Sequence, residues 1–397
     1  MNSKPPQEHA QKAYVEFMKD AVASFAPGRI EFLGNHLDYN GGVVLGTAIN
    51  AGIYALAQPR KDSSYSLFSE SFEGSEITGS IEKIEKLTGA ESWGNYCLGV
   101  LHVLQKKGLA PDKGFSLTLT TDLPMSAGLS SSAAVELATC QCLLQLAKQE
   151  VPKEELVKIC RQAENEWVGL PCGILDQGTS AFGEKNQLVQ IDCDNEKYTT
   201  LPLPANTRFW IFDSGIKHDL VDSLYGTRNQ ECMDALQILQ KVKPDLQHLA
   251  MCPIPLIQNA VMRDDIRKRA LHVVQEQERV HKFTTALKDG VETKELGPFL
   301  TSSHHSSSTL FENSMPELDF LVDLITEGDD VLGARLTGGG FGGAVLAWTT
   351  KNFSQSDAEV IANSYQQKWG STPAYHSFYP SKGASVIDPL SENFKPA

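Results

Sequence analysis

Four stretches of this 397-residue chain set chemically active side chains among residues small enough to let a ligand come close. In Ala26-Pro-Gly-Arg-Ile-Glu-Phe-Leu-Gly-Asn-His-Leu-Asp-Tyr-Asn-Gly-Gly, an arginine, an imidazole and a carboxylate are interleaved with glycines. Carboxylates and imidazoles hydrogen-bond vicinal hydroxyls, and Arg29 can neutralise a phosphoryl group in transit. Taken singly, these residues prove little: His36 also reads as a satisfied loop histidine and Asp38 as a turn-forming aspartate. Gly169-Leu-Pro-Cys-Gly-Ile-Leu-Asp-Gln sets Asp176 behind a proline and two glycines, a rigid turn able to hold a carboxylate in a defined place. A carboxylate fixed in this way can orient a hydroxyl and accept its proton as a bond to phosphorus forms, while positioning and electrostatics supply most of the rate.

Leu123-Pro-Met-Ser-Ala-Gly-Leu-Ser-Ser-Ser-Ala-Ala lies between a predicted strand and a predicted helix. Small residues let backbone approach a ligand, the helix N-terminus offers unpaired N–H groups, and Ser130, Ser131 and Ser132 add hydroxyls for phosphate or magnesium. No Gly-Lys-Ser/Thr follows, so this is not a Walker A loop; a serine-rich cap on an ordinary helix is the plainer reading. Thr337-Gly-Gly-Gly-Phe-Gly-Gly precedes an apolar strand, and alone it reads equally as a tight turn or a close packing point. The two loops say more together, because a nucleotide pinned between two domains needs one from each.

The elements that carry these loops can be read from periodicity. Phe115-Ser-Leu-Thr-Leu-Thr alternates apolar and polar residues and predicts a half-buried strand running towards Pro124. From Ala133 the period changes, and Val135, Ala138, Cys142 and Leu146 predict an amphipathic helix starting directly after the serines. Leu188 to Ile191 and Phe209 to Phe212 predict strands, and the polar run DCDNEKYTTLPLPANT between them predicts a domain crossover with a boundary near residue 205. Pro316 suits the first turn of a helix whose apolar stripe is Leu318, Leu321, Val322 and Ile325, and Ala344 to Trp348 reads as a strand. The biased run SSHHSSS, Ser302 to Ser308, reads as a helical or loop segment inside a domain. Strands and helices mix without a regular βαβ rhythm, which gives an α+β class with two domains, 1–205 and 206–397.

Composition narrows the function classes. A formal net charge of −14, with no basic patch to offset it, argues against nucleic acid as a partner but leaves room for a small phosphorylated substrate held locally by backbone amides. There is no run of about 18 apolar residues and no basic-then-apolar start, so neither a membrane span nor a secretory signal is expected. Eight cysteines without a CxxC pair predict reduced thiols, a cytoplasmic setting and no structural metal.

Taken in order, the four segments resemble the GHMP kinases, and the first resembles the signature of the galactokinase subfamily; the likeness runs from Ala26 to about Trp348. Trp93-Gly-Asn-Tyr resembles the stretch near that family's adenine pocket, while Asp213-Ser-Gly-Ile-Lys-His, Ser223-Leu-Tyr-Gly-Thr-Arg and Arg269-Ala-Leu-His-Val-Val resemble its C-terminal half. The resemblance implies an N-terminal domain like domain 2 of ribosomal protein S5, a ferredoxin-like C-terminal domain, and a site between them. That site would phosphorylate galactose or a similar sugar at the anomeric O1, using ATP and Mg2+. By position, the resemblance implies that Asp176 is the catalytic aspartate and that Arg29 faces it and the γ-phosphate. It likewise implies Asn35, His36, Asp38, Gly173 and Tyr225 as sugar positions, and Trp93, Gly128, Ser130, Ser131 and Ser132 as nucleotide positions. Ser132 and Glu164 would hold magnesium, and Gly339 and Gly340 would close the site from the other domain.

Three positions depart from the family pattern. Asn35 stands where galactokinases usually carry a glutamate facing the C6 hydroxyl. An amide donates as well as accepts and carries no charge to repel an anion. Asn35 therefore predicts either an unchanged acceptor role or selectivity moved towards galacturonate, L-arabinose or N-acetylgalactosamine. Glu31 replaces an asparagine and could pair with Arg29, holding it away from phosphate. Ser126 replaces a loop glycine and stiffens the loop. A regulator that binds sugar and ATP without turnover is the alternative from another class; the intact Ser132-Ala133 speaks for an enzyme, since such regulators lose residues of the serine loop. Mevalonate or homoserine kinase chemistry fits less well, because His36, Asp38, Tyr39 and Tyr225 suit ring hydroxyls that those substrates lack.

Overall fold

The computed structural model describes residues 18–72, 76–124, 128–216 and 221–390; Ser126 and the Lys217-His218 end of one quoted motif fall outside them. β1 (Val22–Leu33) and β2 (Val43–Pro59) pair antiparallel around the loop that carries Asn35, His36 and Asp38. β1 is buried along nearly its whole length because later parts of the chain cover its end: the Phe32 ring lies 5.2–5.9 Å from those of Phe283, Trp348 and Phe209. The pairing shifts register between Pro27 and Arg29 and again between Glu31 and Leu33. Such irregularities bend a strand and re-aim its side chains, and here they flank Arg29 and Glu31.

β3 (Ser64–Ser69), β4 (Ile77–Ser80) and β5 (Phe115–Thr121) extend this sheet, with β5 on the second half of β2. β6 (Gln187–Asp192) pairs with the start of β2, and β7 (Lys197–Pro202) pairs with β6. The polar run expected to be a crossover therefore folds largely as β7. Of that strand only Leu201 is buried, and an edge strand with one inward residue leaves almost no apolar signal.

Of α1 (Gly94–Lys107), α2 (Ser131–Leu146), α3 (Lys153–Gln162) and α4 (Leu175–Phe182), α2 and α4 pack on this sheet, α2 directly over β1 and β2, while α1 packs on α2, and α3 on α2 and α4. α2 starts at the serines as predicted, but its buried surface is wider than the predicted stripe. Ala134, Leu137, Ala138 and Leu143 are sealed, whereas Val135 and Leu146 are only partly covered, because neighbouring helices take faces that solvent would otherwise occupy. α3 continues into a π-helical turn, Ala163–Val168.

Between Pro202 and Thr207 the chain leaves this sheet and enters a second one, built from β8 (Thr207–Asp213), β9 (Val331–Thr337), β10 (Ala344–Thr350) and β11 (Ala374–Phe378) in the order β11-β8-β10-β9, all antiparallel. α5 (Val221–Gln240), α6 (Asp264–Lys288) and α7 (Pro298–Ser306) lie between β8 and β9 in sequence, and α7 runs into a second π-helical turn, Ser307–Phe311. α8 (Pro316–Thr326) opens on its proline and buries the predicted stripe Leu318, Leu321, Val322 and Ile325. With α9 (Gln355–Trp369), it covers a core that includes Trp210, Phe212, Leu336 and Val345. β12 (Ser385–Ile387) then returns to pair with β1. The arrangement is α+β, as expected. Among the described residues no helix is long and apolar enough to cross a membrane.

Candidate active site

Asp176 sits in the first turn of α4 and Arg29 on the bulged β1. Arg29 Nε donates to Asp176 Oδ1 at 2.7 Å, and Nη1 donates to the Gly128 carbonyl at 2.7 Å. Burial works against the Arg29 charge, but the Asp176 carboxylate and its hydrogen bond, followed by Glu31 and Asp38, more than offset it and raise the guanidinium pKa. The other oxygen, Asp176 Oδ2, accepts from Ser130 Oγ. Ser130 takes a left-handed backbone conformation (φ 52°) at the N-cap of α2, and its hydroxyl caps no helix N–H. A non-glycine residue held in this region is strained, and here the strain aims the hydroxyl at the aspartate.

Arg29 and Asp176 line a cavity of about 250 Å³, whose walls include Glu31, Asn35, His36, Asp38, Gly173 and Tyr225. Asp38 is half-buried, and its carboxyl is pushed up to about 7 by burial and then by the nearby Asp176 and Glu31, against hydrogen bonds from backbone N–H groups. Gly173 is a close approach: a Cβ there would lie 1.9 Å from Asp38 Oδ2. Tyr225 reaches in from α5, with its ring 3.2 Å from where a Gly339 Cβ would stand.

His36 has both ring nitrogens engaged. Asn313 Nδ2 lies 3.0 Å from Nε2, and Tyr39 Oη lies 2.9 Å from Nδ1. The Asn313 amide has two hydrogens for three neighbours at 3.0–3.1 Å, His36 Nε2, Asn35 Oδ1 and the Gly339 carbonyl, which share them. Burial, with the positive fields of His272 and Arg335, lowers the His36 pKa well below its usual value, and the ring stacks on Phe311 at 4.2 Å. Of the two readings of His36, the geometry favours the satisfied histidine.

Asn35 lines the same cavity, yet the protein uses its whole amide. Nδ2 donates to Glu31 Oε1 at 2.8 Å and to the Gly338 carbonyl at 3.1 Å, while Oδ1 accepts from Ser307 Oγ at 3.3 Å and Asn313 Nδ2 at 3.1 Å. Two donor and two acceptor positions exhaust the side chain, so a sugar contact would require one of these bonds to break. Glu31 does not pair with Arg29. Its partner is Arg335 of β9, Nη1 to Oε1 at 3.3 Å, with both side chains buried. Residues two apart on one strand face are about 7 Å apart, and Arg29 is already held by Asp176 and Gly128.

The two glycine-rich loops meet: a Cβ on Gly128 (φ +67) would lie 3.5 Å from the Thr337 carbonyl. Gly340 (φ +82) lines neither this cavity nor the next; it packs on the Asn313 carbonyl, 2.2 Å from where its Cβ would be, and so serves the turn of the loop. Ser131 and Ser132 line a second cavity of about 140 Å³ with Trp93, Tyr96 and Phe72. The Phe72 and Trp93 rings stack at 5.5 Å, nearly parallel, which makes an apolar slot suited to a flat heterocycle. Glu164, in the first π-helical turn, accepts from Gln177 Nε2 at 2.6 Å and Cys172 Sγ at 3.1 Å and is hydrogen-bonded to Ser132. Burial, then Asp176, raises its pKa against those bonds. Among the described residues no group of three or more acidic, histidine or cysteine side chains could hold a metal. The adjacent hydroxyl and carboxylate suit magnesium, which takes most of its ligands from phosphate and water.

The sequence reading missed Asn313, Phe72 and the Arg335 contact. Asn313 belongs to no motif; its Nδ2 also lies 3.1 Å from the Gly339 carbonyl, so it ties the glycine loop to His36 and Asn35. Phe72 comes just after β3, and nothing around it in sequence points to Trp93.

Known proteins match along nearly the whole chain. The galactokinase galactose-binding signature matches residues 12–59, the GHMP kinases N terminal domain residues 95–184, and the GHMP kinases C terminal pattern residues 289–371. The chain is 38% identical over 371 residues to the galactokinase of Thermotoga neapolitana, covering 91% of this chain and 99% of that one. It is 34% identical over 391 residues to the galactokinase of Actinobacillus pleuropneumoniae serotype 5b, covering 96% and 100%. The crystal structure of Lactococcus lactis galactokinase complexed with galactose matches with a TM-score of 0.89 at 30% identity, over 96% of this chain and 100% of that one. Methanococcus jannaschii mevalonate kinase, with a TM-score of 0.64 at 16% identity, shares the fold. Identity of this extent over almost the full length of the curated relatives means that the chain belongs to the galactokinase family of GHMP kinases.

Proposed function

We propose that this protein transfers the γ-phosphoryl group of ATP to the anomeric O1 of galactose, giving galactose 1-phosphate and ADP, with Asp176 and Arg29 at the reacting centre. The observation that carries the site assignment is the position of Asp176, bonded on one oxygen to Arg29 and on the other to Ser130 of the serine loop, in the wall of the larger cavity. A hydroxyl replacing Ser130 as the donor to Oδ2 is oriented by Asp176, which takes its proton as the O1–P bond forms and the bond from the γ-phosphorus to the bridging oxygen breaks. Arg29, fixed by two bonds, supplies positive charge without having to reorganise. Asp38 accepts from ring hydroxyls, and His36 stands behind it as a neutral, pinned wall.

The slot between Phe72, Trp93 and the serines takes the adenine end of ATP. Ser132 and Glu164 hold magnesium, which when bound neutralises charge on the β- and γ-phosphates. Two working units, 1–205 and 206–397, fit the change of sheet between Pro202 and Thr207 and the glycine loop that each half contributes. A cytoplasmic setting fits eight cysteines that are all free thiols.

Coupled ADP release with MgATP and galactose tests the reading, with Asp176→Asn beside the wild type. We expect galactose turnover that falls about 10³-fold in the variant, with ATP binding retained. Wild-type turnover unchanged by the substitution would remove Asp176 from the chemistry, and galactose binding without turnover would make the protein a sensor.

A further inference from the structure

Glu31 is not among the residues that the family resemblance assigns to the sugar, yet it stands in the cavity wall. It lies two residues after Arg29 on β1, and between them the pairing with β2 is unbroken, Arg29 against Ala48 and Glu31 against Gly46. Both side chains therefore leave the same face of the strand, about 7 Å apart. Both line the larger cavity. Glu31 Oε1 is held by Asn35 Nδ2 at 2.8 Å and Arg335 Nη1 at 3.3 Å, so the carboxylate cannot swing. Oε2 has no hydrogen-bond partner among the described residues and is not sealed from the cavity. Asn35 cannot take its place, because all four hydrogen-bonding positions of that amide are filled by Glu31, Gly338, Ser307 and Asn313.

We propose that Glu31 is the specificity residue of this site, accepting through Oε2 a hydrogen bond from a sugar hydroxyl at the end of the ring opposite the phosphorylated oxygen. The proposal rests on the sugar-kinase reading above. Arg29 marks the phosphoryl end of the cavity. A pyranose laid along β1 from there brings its C4 and C6 hydroxyls to Glu31, since the strand spacing matches the length of the ring. A fixed carboxylate selects a donor and repels a second carboxylate at the same place, so the site takes a neutral hexose and rejects a uronic acid. This reverses the shift towards galacturonate that Asn35 alone suggested: the acidic group stands four residues earlier and holds the asparagine.

Glu31→Gln keeps an oxygen for Asn35 and Arg335 while turning the cavity-facing atom from acceptor to donor. The assay is steady-state ADP release with galactose, 4-deoxygalactose, 6-deoxygalactose and galacturonate. For E31Q we expect kcat/KM for galactose to fall about 10–100-fold, mostly through KM, with KM for ATP unchanged. The ratio of galactose to one of the two deoxy sugars should collapse towards one, and galacturonate should gain. Both ratios unchanged, or KM for ATP rising as much as KM for galactose, would overturn the proposal. Should E31Q fold poorly in thermal unfolding, E31D gives the same decision, since it keeps the charge but withdraws the oxygen; it should lose the ratio while still excluding galacturonate. If the wild type binds galactose without turnover, the catalytic reading fails on its own, and the same ratios from equilibrium binding decide the role of Glu31. No binding of galactose by the wild type overturns both.

Discussion

Replacing Gly173 by alanine isolates one contact. The backbone there is ordinary, so the substitution strains nothing by itself, and the added Cβ first meets the side chain of Asp38, at 1.9 Å from Oδ2, 2.3 Å from Cγ and 2.8 Å from Cβ. Ordinary contact begins near 3.4 Å, so the carboxylate or the loop must give way by roughly 1.5 Å. Asp38 is half-buried and lines the cavity, so a displaced carboxylate moves into the space the sugar would fill, against the repulsion of Asp176 and Glu31. A displacement of about 1 Å at a positioning group costs on the order of 10²-fold, and Gly173→Ala is therefore expected to lower kcat/KM for galactose by about that factor. The nucleotide slot lies beyond the serines, so KM for ATP should move by less than about threefold. Kinetics with each substrate varied in turn, together with thermal unfolding, separate the two. Galactose kcat/KM within about threefold of wild type would refute the steric argument and the placement of Asp38.

The same wall sets two further outcomes. The Asp38 carboxyl, pushed up to about 7, is protonated below that pH in the free protein, so kcat/KM for the sugar should fall about tenfold per pH unit below 7 and level off above it, and Asp38→Asn should remove that limb. Because its folded pKa lies above the ordinary 3.8, the stabilising contribution of this group is present below 3.8 and lost as pH rises through 7; the gain in Tm of D38N over wild type should accordingly be larger at pH 8 than at pH 5. Asn313→Ala removes the two hydrogens shared among Asn35 Oδ1, His36 Nε2 and the Gly339 carbonyl, and urea unfolding should register a loss of about 1–3 kcal/mol, with KM for galactose raised more than KM for ATP.

The placing of Asp176, Arg29 and the two loops was legible in the sequence because the signals are local: Asp176 follows a proline and glycines into the first turn of a helix, and a serine run opens another. Asn35 was not. Its capacity to donate and accept could be read from its type, but its partners Ser307, Asn313 and Gly338 are supplied from the far half of the chain, and they decide that the amide is structural. Glu31 was placed beside Arg29 by proximity in sequence, whereas each found a partner across the fold, in Arg335 and Asp176. The bulges that aim both residues appear only when β2 is laid against β1. Among the elements, β7 escaped notice because an edge strand needs few apolar residues, and the burial of α2 was underestimated because its neighbours are helices whose docking no periodicity reveals.

An α-helix that takes in one extra residue without unwinding becomes a π-turn, and losing that residue restores it. Glu164 occupies one such turn and Phe311, the ring beneath His36, occupies the other. In descendants of this chain, a single-codon deletion in either place would regularise a helix while rotating the downstream residues by about 100°. Glu164 would leave Ser132 and Gln177, or His36 would lose its floor. Selection for a more regular fold and selection for turnover therefore oppose each other at two positions, and relaxing the second is a short evolutionary route from an enzyme to a binding protein on an unchanged scaffold.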